Sequence, residues 1–259
     1  MDVIAVLNQK GGVAKTTTAH AIAAGLTNKG YSVLMVDLDG QRSLSLIAGA
    51  SRSGLTTYDL LAGKGKAAQA IQHTESGDII PAAAALWAAD TTLTGKRREY
   101  GLKEALNPVA GKYDYCVVDC PPSLGILTIN ALTAADTCII PAQADLLSLE
   151  AIDQLYQTIA AVRDHTNPAL KIDGILITRY NGRAVLSREA VELIEDKAKE
   201  IRTKVYQSKI RESISLKEAQ AFKQDIYSYS RRSNGAADYQ AFIDEAFDKQ
   251  GLNRTISEQ

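Results

Sequence analysis

The sequence predicts an α/β protein with a mostly parallel, twisted sheet that is flanked by helices. Short apolar runs such as 3–7, 32–37 and 113–120 alternate with longer segments of helical periodicity. Because the centres of these runs, such as 33–36 and 115–118, are continuously apolar, they are typical of strands that are buried on both faces. A glycine-rich turn joins the first strand to the first helix, and aspartates follow two later strands. This arrangement indicates an open sheet with its site at the carboxyl ends of the strands.

Length and composition favour a single domain over residues 1–259. The chain has 259 residues, of which 46% are hydrophobic, and it contains no run of 18 apolar residues. It enters the first strand directly, so we expect neither a signal segment nor a helix-turn-helix extension before it. Cys116, Cys120 and Cys138 fall in or beside apolar strands, which favours core packing in a reducing, cytoplasmic protein.

The region between the second strand and residue 112 is the hardest to interpret. Its pattern predicts short helices at 58–61, 67–72, 83–93 and 100–107 and one strand at 78–81. At the other end of the chain, residues 234–250 are predicted to form a helix that docks on the sheet through Tyr239, Phe242, Ala246 and Phe247.

The glycine-rich turn predicts a phosphate site. Gly11 and Gly12 allow backbone amides to approach an anion, and the helix that follows adds its free N–H groups and its dipole. Lys15 is placed to reach terminal phosphates, and the Thr16 hydroxyl to reach a magnesium ion. The predicted phosphate-binding residues are Lys10, Gly11, Gly12, Val13, Ala14, Lys15, Thr16 and Thr17.

Two further segments end in aspartate at the predicted carboxyl edge of the sheet. Asp37-Leu38-Asp39-Gly40-Gln41 follows the second strand, and Asp119 ends the strand that precedes Cys120-Pro121-Pro122. Carboxylates at this edge are expected at the site of an open α/β sheet. For Asp39, an alternative that stays open is that it caps the following helix at Gln41-Arg42-Ser43.

The Lys-Gly-Gly-x-x-Lys-Thr pattern at 10–16 departs from the strict phosphate loop, since Gln9 and Ala14 stand where glycines are required. With its additional Lys10, it resembles the deviant phosphate loop of the ParA/MinD superfamily, and specifically of ParA (Soj-like) partition ATPases. The resemblance covers essentially the whole chain and is most specific at 3–45, 113–143 and 209–245. It implies a P-loop NTPase-like fold, ATP and Mg²⁺ as cofactors, and slow ATP hydrolysis.

The resemblance also assigns roles. It implies that Lys10, Lys15 and Asp39 are catalytic, with Lys10 reaching the nucleotide of a second subunit and Asp39 orienting the attacking water. It implies a magnesium site formed by Thr16, Asp39 and Asp119, with Asp119 acting through water. The loop 121–125 would sense the γ-phosphate. Gly40 departs from the family pattern, which has proline there, and Ser215 stands in place of an arginine implicated in DNA binding.

The partners that the resemblance implies are non-specific DNA, a second copy of the chain in an ATP-dependent homodimer, and a ParB-like centromere-binding protein that stimulates hydrolysis. It therefore implies a cytoplasmic, nucleoid-associated protein with no membrane contact. Residues 171–232 contain 14 Lys/Arg and 9 Asp/Glu, a net charge of +5, in a chain of net charge −1. The candidate DNA-binding residues are Arg179, Arg183, Lys209, Arg211, Lys217, Arg231 and Arg232. Ordinary solvated surface charges are the alternative interpretation of this set.

Two other functions remain open. A MinD-like, membrane-associated positioning ATPase requires a basic amphipathic helix at the C-terminus, whereas residues 251–259 are short and polar. An electron-transfer iron protein requires exposed cysteines at a dimer interface, whereas the three cysteines here are predicted to be in the core.

Overall fold

Seven strands form one sheet in the computed structural model, which describes residues 1–248. The strands are β1 (Asp2–Val6), β2 (Val33–Asp37), β3 (Gln72–Thr74), β4 (Gly77–Ile80), β5 (Tyr115–Asp119), β6 (Thr137–Gln143) and β7 (Lys171–Thr178). Their order is β3-β4-β2-β5-β1-β6-β7, and every pairing is parallel except that of β3 with β4. The predicted α/β class with a mostly parallel sheet is confirmed.

Helices cover both faces of this sheet. They are α1 (Lys15–Asn28), α2 (Ser43–Ile47), α3 (Thr57–Leu61), α4 (Ala67–Ala70), α5 (Ala89–Thr92), α6 (Gly101–Leu106), α7 (Ile126–Ala134), α8 (Leu146–His165), α9 (Val185–Glu200), α10 (Ile214–Ala221), α11 (Ile226–Ser230) and α12 (Asn234–Phe247). Alternate residues of β1 point to opposite faces, so Ala5 packs with α7 and α8 while Val6 packs with α1 and α12. The sheet is therefore buried on both sides, as its apolar strands predict.

The structure differs from the predicted elements mainly between residues 67 and 93. The helix predicted at 67–72 ends at Ala70, because residues 72–74 pair antiparallel with β4 as an edge strand. The helix predicted at 83–93 is instead a 3₁₀ turn, Ala84–Ala88, followed by α5. The helix predicted at 234–250 is observed as α12, and residues 249–259, including the tail on which the membrane alternative depends, lie outside the described residues.

Candidate functional site

The carboxyl ends of β1, β2 and β5 lie level with one another. Asp119 at the end of β5 pairs in register with Val6 of β1 on one side and with Asp37 of β2 on the other. The chain passes from β1 towards the β2 side of the sheet and later to β6 on the opposite side, so the strand order reverses beside β1. An open α/β sheet forms its ligand crevice at such a point.

The loop between β1 and α1 leaves backbone amides available to a ligand. Gly12 and Ala14 adopt left-handed conformations with φ of 75° and 64°. Ala14 is the N-cap of α1 and provides no side-chain cap hydrogen bond, so it leaves the first-turn N–H groups of that helix available. A Cβ atom at Gly11 or Gly12 would meet no atom within 4 Å. Open space above free amides and a positive helix end is the geometry of an anion site.

The two lysines of this loop point to different places. Lys15 is only 7% exposed and lines the crevice, where its Nζ donates to the carbonyl of Lys10 at 3.0 Å. Burial lowers the pKa of Lys15, and the nearby Asp119 carboxylate opposes this change. Among the described residues, Lys10 is not part of the crevice lining, and its Nζ lies 2.5 Å from Oδ2 of Asp145. Sequence reasoning missed Asp145, because no motif connects it to Lys10.

Asp37 holds the loop that carries Asp39. Its Oδ1 accepts the N–H of Asp39 at 3.0 Å, and its Oδ2 accepts the N–H and hydroxyl of Ser45 at 2.8 and 2.7 Å. Burial raises the pKa of Asp37 to about 6, although the Ser45 donors act against the rise. Sequence reasoning gave Asp37 no role. Its position as the last residue of a fully buried strand was the available signal, since a buried carboxylate needs local donors.

Asp39 closes a turn rather than capping a helix. Its Oδ1 accepts the N–H of Gln41 at 2.9 Å, whereas the N-cap of α2 is Arg42, with φ of 60° and no side-chain cap hydrogen bond. The capping alternative for Asp39 is thus wrong for α2. Asp39 is 8% exposed and lines the crevice together with Lys15 and Thr16.

Neither oxygen of the buried Asp119 carboxylate makes a hydrogen bond of good geometry to another described residue, although the Thr16 hydroxyl lies near enough to favour its charged form. Burial, and then the charge of Asp37, raise the pKa of Asp119 well above its ordinary value, while Thr16 and Lys15 act in the opposite direction. A buried carboxylate without partners is unfavourable unless a ligand satisfies it. The donor set of Asp119 oxygens beside the Thr16 hydroxyl fits a hard, hydrated cation such as Mg²⁺.

The crevice extends from the loop to the C-terminal part of the chain and has a volume of about 630 Å³. One wall is formed by residues 210–213, Leu216, Lys217, Gln220 and Tyr239. Gln220 Nε2 donates to the Thr17 hydroxyl at 2.7 Å, and the Tyr239 hydroxyl lies 3.0 Å from that of Thr18. Tyr239 thus belongs to the crevice as well as to the sheet-facing side of α12.

The candidate DNA-binding residues are found in three different settings in the structure. Arg179, Arg211 and Lys217 line the crevice and form ion pairs, with Glu212, Asp238 and Glu212 respectively. Lys209 lies over the ring of Tyr180, 5.7 Å from its centroid. Arg183 is exposed in the turn before α9, and Arg231 and Arg232 are exposed between α11 and α12. No ion pair joins these last three to another described residue.

The three cysteines are free, buried thiols, and Cys120 lies one residue beyond β5. Burial raises the pKa of Cys116 and of Cys138, the latter to about 12. Buried thiols cannot form the surface cluster that an interfacial iron–sulfur centre requires. No helix among residues 1–248 is both long enough and apolar enough to cross a bilayer.

Comparisons with known proteins identify the family of the chain. A family model described as an AAA domain, AAA_31, matches residues 1–172. The sporulation initiation inhibitor protein Soj of Bacillus subtilis is 40% identical over 242 residues, covering 92% of this chain and 94% of Soj. The chromosome partitioning protein ParA of Myxococcus xanthus is 36% identical over 92% of this chain and 85% of that protein.

A solved structure shows the same fold at full length. The cobyrinic acid a,c-diamide synthase of Mycobacterium smegmatis, crystallised with an ATP analog and magnesium, superposes with a TM-score of 0.81. It is 34% identical, and the match covers 100% of this chain and 97% of that chain. This likeness confirms the P-loop NTPase-like fold, and the curated relatives confirm the resemblance that the sequence motifs indicate. The chain belongs to the Soj/ParA family of partition ATPases.

Proposed function

We propose that this protein is an ATP-dependent DNA partition ATPase of the cytoplasm. In this proposal its ATP-bound dimer binds DNA without sequence specificity and so associates with the nucleoid. Hydrolysis, stimulated by a ParB-like centromere-binding partner, releases the DNA. The observation that carries the proposal is a crevice lined by open loop amides, the buried Lys15 and Asp39. The buried Asp119 carboxylate lies beside Lys15 and Thr16, and its oxygens make no hydrogen bond of good geometry to another described residue.

The crevice fits the phosphates of ATP and a magnesium ion. The amides of residues 11–17 and the ammonium of Lys15 are the groups that would neutralise phosphate oxygens. Thr16, Asp39 and Asp119 would hold magnesium, with Asp119 accepting hydrogen bonds from its waters. Bound magnesium supplies charge neutralisation of the phosphate oxygens during transfer.

Asp39 is suited to orient the water that attacks the γ-phosphate. Its loop is held from below by Asp37 and internally by the contact with Gln41, so its carboxylate has a defined position at the crevice. A fixed hydrogen-bond acceptor beside the phosphate is what a positioned water requires. Pro122, from the predicted γ-phosphate-sensing loop, lines the same crevice.

Lys10 is suited to act in a second subunit. Its side chain lies outside the lining of its own crevice and rests on Asp145, so it is available to a nucleotide bound elsewhere. In the proposed dimer each Lys10 leaves Asp145 and neutralises the phosphates held by its partner. Because the lysine needs a phosphate to replace the carboxylate, dimerisation depends on the nucleotide.

Dimerisation would double the cationic groups that face DNA. A few phosphate contacts give weak, salt-sensitive binding, and twice as many raise the affinity by orders of magnitude. Arg183, Arg231 and Arg232 are the leading candidates for these contacts, because they are exposed and have no ion-pair partner among the described residues. The other four candidates rank lower, since three of them, Arg179, Arg211 and Lys217, already form ion pairs with acidic residues. The fourth is Lys209.

The test is a mobility assay on two unrelated duplexes over a salt series, with ATP, ADP or no nucleotide. We expect equal, steeply salt-dependent binding of both duplexes with ATP alone. The double variant R231A/R232A removes four arginines per dimer. The plot of log binding constant against log salt concentration should therefore become less steep, with the magnitude of its slope reduced by roughly 3–4. The matched control is K64A/K66A, which removes the same charge from exposed lysines outside residues 171–232.

Other outcomes reject the proposal. Absence of DNA binding with ATP contradicts it, and so does binding that does not depend on nucleotide. Binding only to lipid vesicles would favour the membrane-associated alternative. An equal loss of slope in the control would show that the two arginines have no special place in the interface.

A further inference from the structure

Residue 40 is a glycine because the side chain of Trp87 lies against it, and not because the backbone there needs a conformation that favours glycine. Gly40 is buried, and it is not among the described glycines with positive φ, so its backbone conformation is open to other residues. A Cβ atom at Gly40 would lie 3.0 Å from Cδ1, Cδ2 and Cε2 of Trp87. Equal distances to these three atoms put that position over the five-membered ring. The indole face therefore lies directly against the backbone of Gly40.

Trp87 is unusual because it is 60% exposed. It projects from the 3₁₀ turn Ala84–Ala88, whose Leu86 is buried in the core, as is Ala89 just after it. A large aromatic side chain that contributed only to core packing would be buried on both faces. Here one face covers the loop between Asp39 and Gln41 and much of the ring stays accessible.

The segment that carries Trp87 is anchored at both ends to elements of the crevice. Before the turn, the N–H of Ala82 donates to Ser45 Oγ at 2.9 Å, and the Ala82 carbonyl accepts from Arg42 Nε at 2.8 Å. After the turn, Asp90 Oδ1 accepts the N–H of Ile126 at 2.7 Å, at the point where the loop 121–125 enters α7. A ring held by such a segment has a fixed position relative to both loops.

We propose that Trp87 is a positioning residue for Asp39: its indole face, lying on Gly40, holds the Asp39 loop in the geometry needed for hydrolysis. The inference rests on the proposed function, in which Asp39 orients the attacking water. Asp37 fixes this loop by accepting the N–H of Asp39, and Trp87 packs on the next residue, Gly40. A displacement of about 1 Å is enough to slow a positioned reaction by up to 100-fold.

The experiment measures single-turnover hydrolysis and ATP affinity separately in W87A, W87F, G40A and the double variant G40A/W87A. We expect W87A and G40A to hydrolyse ATP about tenfold more slowly than the parent with unchanged ATP affinity. W87F keeps an aromatic face and should retain most of the rate. The double variant should match W87A alone, because the ring that the new methyl group meets is gone.

The control is G111A. Gly111 also lacks a positive φ, and a Cβ atom there would meet nothing within 4 Å, so this variant should hydrolyse ATP at the parental rate. A second readout reports on the contact itself. Trp87 is the chain's single tryptophan, so G40A should change the tryptophan emission of the nucleotide-free protein, whereas G111A should not.

Parental hydrolysis in W87A overturns the proposal, and so do independent, multiplying effects of G40A and W87A. These failures differ from a failure of the proposed function. If D39A hydrolyses ATP slowly while W87A and G40A are normal, Asp39 keeps its role and only the positioning by Trp87 is rejected. If D39A hydrolyses ATP at the parental rate, the role of Asp39 is rejected and the positioning proposal with it.

Discussion

The ion pair between Lys10 and Asp145 gives a quantitative prediction about dimerisation. Asp145→Asn removes the charge that holds Lys10 but keeps Oδ1, which accepts the N–H of Ser148 at 2.9 Å and caps α8. The helix should therefore stay intact while the lysine is released. Burial alone would raise the pKa of Asp145, but Lys10 and Ser148 outweigh it and lower that pKa, so the carboxylate is charged and the pair is intact at neutral pH.

The size of the effect follows from the exposure of the pair. The Nζ–Oδ2 distance is 2.5 Å, but the side chains are 21% and 40% exposed, so solvent screens the attraction. Such a pair contributes about 1 kcal/mol at most. Two pairs break when a dimer forms, and about 2 kcal/mol corresponds to a roughly 30-fold lower dimer dissociation constant. Lys10 should thus be more available in D145N, and ATP-dependent dimers should form at lower protein concentration.

The assay is sedimentation velocity with ATP and Mg²⁺ over a range of protein concentrations, using a variant background that does not hydrolyse ATP. The matched control is D153N, which removes another aspartate of α8 whose partner, Lys197, lies 3.0 Å away and is remote from the loop. A dimer in D145N that is no tighter than the parental one would refute the reasoning. A similar gain in D153N would refute it too, since general loss of negative charge would then be the cause.

Four other changes have defined outcomes. Lys15→Ala should weaken ATP binding by more than about 100-fold, because the buried cation that faces the phosphates is lost; near-normal affinity in calorimetry would reject the phosphate loop. Asp39→Ala should bind ATP and persist as a dimer while hydrolysing it about 100-fold more slowly; a protein that sediments only as a monomer with ATP would contradict this. Burial lowers the pKa of His20 to about 4. As the pH falls from 6.5 to 4, His20 is therefore protonated in the unfolded chain but not in the folded protein, and the folded protein loses stability over that range. The loss of folding free energy over that range is about 3 kcal/mol. Denaturant unfolding at pH 7 and pH 4.5 should show this loss in the parent protein but not in His20→Leu. If the two proteins lose the same stability, His20 is not responsible. Lys223 follows α10 with φ of 55°, a left-handed conformation that strains a residue with a side chain. Lys223→Gly should therefore stabilise the protein by about 1 kcal/mol. A lower melting temperature of the variant would contradict this, because the lysine side chain would then stabilise the protein by more than the strain costs.

Local sequence was sufficient where the chemistry is encoded within a few residues. The buried strands were predicted because a continuous apolar run suits a strand covered on both faces, and Asp119 was placed at the carboxyl end of such a run. The phosphate loop was predicted because Gly11, Gly12, Lys15 and Thr16 combine conformational freedom, charge and a hydroxyl at fixed spacing.

Local sequence failed where distant contacts overrule helix propensity. Residues 83–93 are rich in alanine, which favours one helix. The observed 3₁₀ turn is tied to Ser45 through Ala82 before it and to Ile126 through Asp90 after it. These two attachments are made by residues that are distant in sequence, so no periodicity within the segment could indicate them.

The sequence by itself determined the fold class and the family and predicted the phosphate loop, since each depends on residues that are neighbours in the chain. Only the tertiary structure decided that Lys10 rests on Asp145, that both oxygens of Asp119 lack a well-formed hydrogen bond within residues 1–248, and that Trp87 covers Gly40. The physical reason is that each feature depends on groups that are distant in sequence and that strand order brings together. Their strength depends on burial and distance, which are set when β1, β2, β5 and β6 assemble side by side and bring their loops to one edge of the sheet.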